Sequence, residues 1–359
     1  MAPGGNILST IPRNMGSFGL SSGTSMATPF AAGSAALILS AKGKDTATAK
    51  SIKQLLQNTA GMIPTSAADG APIASAAQQG AGLINVYHAI QATSVISTGE
   101  MLLNDTLYGS NYQVVVIKNP TKKSVTYIID HAPGVTISTV NKANNLPNMA
   151  PLPTVGQVAG VTIIGNKITV FPRFVGMFIV YFRPPTGLDA STFPVYSGYI
   201  TISSSIGETF SIPYMGVGAR MRDMPVLDRS SDFFDVQIPI MLTALGDIPD
   251  PGTSYTLVGD DYPVVLYRRG AGTPSLLADL VSPNTTVPGA FQARSLSKRG
   301  TLWNWLKGIF GNRNNSPSTG TFFSVPTVGP IQNLPFLPRH QMAEVSSIDY
   351  ASTFLLLTF

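Results

Sequence analysis

Ser22-Gly23-Thr24-Ser25-Met26-Ala27-Thr28-Pro29, running into the apolar stretch Phe30 to Leu39, decides how this chain is read. A serine hydroxyl is a weak nucleophile until a base takes its proton, and the oxyanion formed by its attack needs donors already in place. Setting Ser25 at a helix entrance meets part of that need. Gly23 lets a substrate backbone approach, and the unpaired amides of a first helical turn point at developing negative charge. Behind it, Ala31, Ala32, Gly33, Ala35 and Ala36 keep the helix slim and apolar nearly all round, so 29–41 is expected as a helix buried inside an α/β layer structure. The apolar run is too short to span a bilayer. Taken alone, a serine ahead of an Ala-rich helix is an ordinary N-cap.

The surroundings add more. Gly-Thr-Ser-Met-Ala-Thr-Pro at 23–29 resembles the nucleophile motif of the subtilisin family, with Ser25 in the nucleophile position. Ala2 to Pro12 is similar to the family's segment leading up to it, and Ala32 to Leu39 and Gly80 to Val86 resemble its helix and closing turn. The resemblance implies that residues 1–98 are the C-terminal part of an α/β subtilisin-like serine endopeptidase domain acting on polypeptides. Ser25 would be its nucleophile, with Thr24 and Gly23 at the oxyanion and substrate-backbone positions. No cofactor is implied for the chemistry. Structural calcium is common in the family but falls on no particular residue here.

Two departures stand out. Phe30 follows the proline where many members carry a structural histidine. More seriously, the subtilisin order is Asp, His, Ser along the chain, and the residues before Ser25 include neither Asp nor His. The family's oxyanion asparagine also belongs upstream, and Asn6 and Asn14 stand in the wrong context for it. The three histidines read otherwise: His88 as a surface residue on the last helix of this section, His131 at a strand end, and His340 in an unassigned tail. A candidate general base must lie within hydrogen-bond reach of the nucleophile, so this chain by itself, a fragment, is expected to be inactive.

Hydrophobic residues make up 44% of the 359 and charged residues only 11%, against a usual charged share of roughly 25%, a profile that suits a secreted protein. The formal charge of +5 is scattered and leaves no nucleic-acid footprint. The densest basic stretch, Arg294 to Arg313, reads as a solvated loop. Without cysteine there is no disulfide or thiolate site. Sequons at Asn104 and Asn284, and a weaker one at Asn314, permit secretion without requiring it. The first residues lack the form of a signal peptide, so the address of a secreted protein would lie outside this sequence. The expected location is extracellular or cell-wall associated, and the expected state a monomer with no membrane span.

Along the chain, Asp45 can cap a second helix, 46–60, with Ile52, Leu55 and Leu56 on one face, and a third runs 85–92. Helices this few look like part of a larger domain. After Gly99 the period changes, and 112–118, 124–130, 134–140, 161–171, 177–182, 195–203 and 209–214 read as strands of a β-sandwich over residues 99–218. The pieces at 195–202 and 211–217 resemble the fibronectin type III-like domain that follows the catalytic domain in large secreted fungal and C5a-peptidase-like subtilisins, which implies a role in docking protein substrates. Residues 219–359 read as a further β-rich region, with extended pieces at 236–242 and 262–267, a Pro/Ser/Thr/Gly-rich stretch at 312–338 and an apolar end, Phe354 to Phe359, that suggests truncation. The rival reading is a non-catalytic binding or cell-surface module in which the sandwich is the working part and the protease remnant is passive.

Overall fold

The computed structural model describes residues 1–44, 46–144, 146–231, 235–256, 258–280, 321–322, 325–326, 329–337 and 346–349. The chain opens with an antiparallel hairpin, β1 (Ile7–Thr10) and β2 (Phe18–Ser21), in which Leu8 stands opposite Leu20. Four helices follow: α1 (Thr24–Lys42), α2 (Thr46–Asn58), α3 (Ala76–Gln79) and α4 (Val86–Gln91). Asn85 caps α4, its side chain accepting from the His88 amide at 3.0 Å, and Ser75 caps α3 by accepting from the Ala77 amide at 3.3 Å. Asp45, expected to cap α2, lies outside the described residues.

The sandwich is built from β3 (Val95–Ile96), β4 (Met101–Leu102), β5 (Tyr112–Lys118), β6 (Val125–Ile137), β7 (Thr154–Val155), β8 (Gly160–Ile164), β9 (Lys167–Val170), β10 (Val175–Arg183), β11 (Val195–Ser204) and β12 (Thr209–Val217). One sheet has the order β3-β5-β10-β8; the other runs β4-β12-β11-β6-β7, with β9 also pairing β6. Alternation with period two turns Val115, Ile117, Phe178, Val180 and Phe182 of the first sheet toward Tyr127, Ile129, Ile200, Ile202 and Ile212 of the second, and all are buried. Each such side chain contributes about 1.5–3 kcal/mol by leaving water.

Three strand expectations change. The pieces 124–130 and 134–140 are one strand, β6, because pairing with β11 runs on through Pro133 and Gly134 and β6 takes up one extra residue between Gly134 and Ile137. His131 therefore sits mid-strand and not at an end. The piece 161–171 is two strands, because Gly165 takes φ 86° and turns the chain.

The helical section packs onto this sandwich and forms one unit with it, Met1–Ala143 with Pro147–Met224. Ser197 Oγ, fully buried on β11, accepts from the Ala76 amide at 3.0 Å and lies 3.0 Å from Ser75 Oγ. Tyr199 donates to the Gly80 carbonyl at 3.0 Å, and Asn58 Nδ2 donates to the Thr98 and Ser211 carbonyls at 2.8 and 3.3 Å. Leu55 of α2 packs against the sandwich core. The described residues are thus β-rich, and their helices lie against a sandwich with no parallel sheet of their own among them.

This arrangement corrects the expectation that the first long helix is buried. Only Ser34 and Ile38 of α1 are buried; Phe30 is 44% and Leu37 58% exposed. At 19 residues α1 is also longer than its apolar run and reaches the length and hydropathy of a membrane crossing, a test that core helices of soluble proteins pass equally.

The second unit contains β13 (Ile240–Thr243), β14 (Pro263–Tyr267), β15 (Thr273–Leu280), β16 (Thr321–Phe322), β17 (Val325–Pro326), β18 (Gly329–Leu337) and β19 (Ser346–Asp349). They pair as β13-β14-β19, β15-β18 and β16-β17. A buried ion pair joins Asp228 and Arg268 at 3.1 Å. The basic stretch 294–313, the sequons at Asn284 and Asn314, His340 and the apolar end 354–359 lie outside the described residues.

Candidate active site

Ser25 is the second residue of α1. The chain arrives there through β2 and Ser22, whose Oγ accepts from the Asn6 amide at 2.8 Å and donates to Asn6 Oδ1 at 3.4 Å. The Gly23 amide donates to the Gly4 carbonyl at 2.8 Å. Gly4 has to be glycine at this crossing, since a Cβ there would stand 2.7 Å from the Gly23 oxygen. Gly23 accepts from the Met26 amide at 3.1 Å, which starts the helix. The amides of Thr24 and Ser25 precede any helical acceptor and point outward from the first turn. Pro29, inside α1, has no N–H for the carbonyl of Ser25 four residues back and crowds it, so the first turn is held more loosely than the rest. Thr28 Oγ1 braces that turn by donating to the Thr24 carbonyl at 2.9 Å.

Gly23, Thr24 and Ser25 are all exposed, and Ser25 Oγ has no hydrogen-bond partner among the described residues. Ser25 thus stands exposed at the mouth of the helix. No base is hydrogen-bonded to it there. His88 is exposed on α4, as expected of a surface residue. His131 Nε2 lies 2.8 Å from the Tyr214 hydroxyl, and burial holds its pKa down despite the nearby Asp130. Among the described residues no group of three or more His, Cys, Asp or Glu stands ready for a metal ion.

The far end of α1 is tied down where the helical section meets the sandwich. Lys42 Nζ donates to the Ala92 carbonyl at 2.5 Å. The next two residues, Thr93 and Ser94, surround the Glu208 carboxylate, which accepts from Thr93 N at 2.5 Å, Thr93 Oγ1 at 2.6 Å, Ser94 N at 3.3 Å and Ser94 Oγ. Ser94 Oγ also lies 2.7 Å from the hydroxyl of fully buried Tyr127. Burial pushes the Glu208 pKa up, but the hydrogen bonds from Ser94 and Thr93 outweigh it and leave the group below its ordinary value. Glu208 was not singled out in the sequence; its one signal is a lone acid beside Gly207 in the turn between two strands.

Residues 1–82 match the family model of the subtilases, and residues 101–215 match that of the Fn3-like domain. The chain therefore carries a subtilase segment followed by an Fn3-like domain. Over 249 residues it is 30% identical to the PI-type proteinase of Lactococcus lactis subsp. cremoris, an alignment covering 63% of this chain and 13% of the relative. Over 252 residues it is 27% identical to the minor extracellular protease Vpr of Bacillus subtilis (strain 168), covering 65% of this chain and 30% of that protein. The chain thus spans well under half the length of these curated relatives. Among solved structures, the PapD-like domain 7 of human CEP192 matches 36% of this chain and 86% of its own at 7% identity, with a TM-score of 0.26, too low to bear on the fold.

Proposed function

We propose that this chain is the nucleophile-bearing part of a secreted subtilisin-type serine endopeptidase. In this reading residues 1–98 complete an α/β catalytic domain, 99–218 form the Fn3-like sandwich and 219–359 a further β-rich region. The observation that carries it is the Ser25 hydroxyl, exposed at the entrance of α1 within the segment matched to the subtilases. Ser25 attacks the peptide carbonyl; the amide of Ser25, with Thr24 beside it, holds the oxyanion; Gly23 receives the substrate backbone. A histidine supplied by another segment takes the Ser25 proton and returns it to the leaving amine, and an aspartate orients that histidine. An extracellular location accords with the relative that is named an extracellular protease.

Alone, the chain places no base at Ser25 among its described residues, and removing triad members leaves only about 10³ to 10⁴-fold acceleration over water. The purified chain should take up no fluorophosphonate. Fused behind the part of Vpr that precedes the matched region, it should be labelled at Ser25 and should cleave casein, and Ser25→Ala should abolish both. Labelling of the isolated chain would sink the inactivity claim, and equal cleavage by the Ser25→Ala fusion would sink the nucleophile assignment.

A further inference from the structure

Between Asp105 and Asp189 the sole acid is Asp130, against five lysines and two arginines. The fold gathers most of those cations at one end of the sandwich. The β5–β6 loop carries Lys122 and Lys123, the adjoining end of β5 carries Lys118, and the β9–β10 loop is Phe171-Pro172-Arg173-Phe174. Fully buried Asn119 binds the two loops to each other. Its amide donates to the Phe174 carbonyl at 3.0 Å, and its Nδ2 donates to the carbonyls of Lys123, Val170 and Phe171 at 2.8, 3.0 and 3.2 Å. Arg173 takes φ 62° to close the second loop, a backbone state that disfavours an ordinary side chain and persists only where the surroundings enforce it. The result is a rigid tip whose two phenylalanine rings are each 66% exposed, with four exposed cations around them.

Leaving two phenylalanines in water forgoes roughly 1.5–3 kcal/mol each, a cost that calls for an occupant. We propose that this tip docks on an anionic lipid surface, with Phe171 and Phe174 entering the headgroup boundary and Lys118, Lys122, Lys123 and Arg173 meeting lipid phosphates. Charge complementarity selects an anionic partner. Both rings lie mostly in solvent, and a fluid apolar layer can close round them without a shaped pocket. The apolar surface continues from the tip along β10 through Val175 and Met177, both exposed, so deeper entry buries more apolar area. One apolar anchor plus a basic patch is the combination that gives stable peripheral binding, and the mode needs no spanning segment.

The test is co-sedimentation of the full chain with vesicles of phosphatidylcholine alone or mixed with phosphatidylglycerol, at low and high salt. The chain should pellet with the mixed vesicles and not with the neutral ones, and salt should release it. Phe171→Ser with Phe174→Ser should weaken binding about tenfold or more, and Lys122→Glu with Lys123→Glu should weaken it by at least about fivefold per lysine. Both pairs are exposed, so thermal unfolding should be unchanged. Because the chain has no cysteine, a polarity-sensitive dye on Phe174→Cys should report an apolar environment on mixed vesicles, while the same dye on Ala68→Cys in the helical section should not. Equal binding to neutral vesicles, or binding indifferent to both pairs of changes, would overturn the proposal. So would polyglutamate displacing wild type and the phenylalanine variant alike, which would assign the surface to an acidic polypeptide.

Discussion

Glu208 shows how much one side chain decides here. Its carboxylate is the acceptor for four donors on Thr93 and Ser94, two of the three residues that join α4 to β3, and Lys42 from α1 and the Tyr127 hydroxyl from β6 are titratable groups facing it. Glu208→Gln should cost about 1.5–3 kcal/mol at neutral pH, the range for hydrogen bonds to a charged group, read from urea denaturation. The sign follows from the depressed pKa: the native carboxylate binds its proton less readily than the unfolded one, so its contribution is complete above the ordinary glutamate value and fades as pH falls through the native value. The gap between wild type and Glu208→Gln should close over that acid range; a gap independent of pH would refute the carboxylate's part. None of this was legible in the sequence, because a lone glutamate in a turn has no periodic or motif signature and its partners are more than a hundred residues away. The motif around Ser25 could be read for the opposite reason, since its residues are neighbours in sequence.

At the scale of elements, period two marked the sandwich strands well: β5 matches its expected bounds and β11 and β12 differ only at their ends. What the period could not supply was continuity. Pro133-Gly134 has the composition of a turn, yet pairing with β11 and the hydrogen bond from the Val135 amide to the Ile73 carbonyl at 2.9 Å carry the strand straight through it. The short β3, β4 and β7 went unread because two residues cannot express a period. The contacts joining helices to sheets were equally hidden, and Ser197 is the sharpest case. Ser197→Ala strands the buried Ala76 amide and removes the partner of Ser75, so it should destabilise the unit by about 1–3 kcal/mol. Chemical denaturation measures this, and a change under half a kilocalorie would mean that the docking of α3 rests on shape alone.

For the whole molecule, the exposed apolar residues of the first section set its behaviour in solution. Leu8 and Leu20 form a cross-strand pair on the hairpin, each about two-thirds exposed, and Leu37 is bare on α1. Surface of this kind drives association, so sedimentation velocity of the purified chain should show concentration-dependent self-association, contrary to the monomer expected from the sequence. Leu20→Ser with Leu37→Ser should return it toward monomer with stability changed by no more than about 0.5 kcal/mol per site; persistence of the associated species would place the contact elsewhere. Helix α1 itself was readable from its alanines, whereas how far it is exposed depends on which neighbours are present and not on the helix's own composition.

The bonds that seat α3 on β11 join residues about 120 positions apart, Ser75 with Ser197 and Gly80 with Tyr199. A ribosome adds roughly 5–20 residues per second, so the leading helices emerge several seconds before their seat has been synthesised. During that interval the place where α3 will sit on β11 does not yet exist, and a holding chaperone or an unfolded passage across a membrane would be the natural companion of this nascent chain.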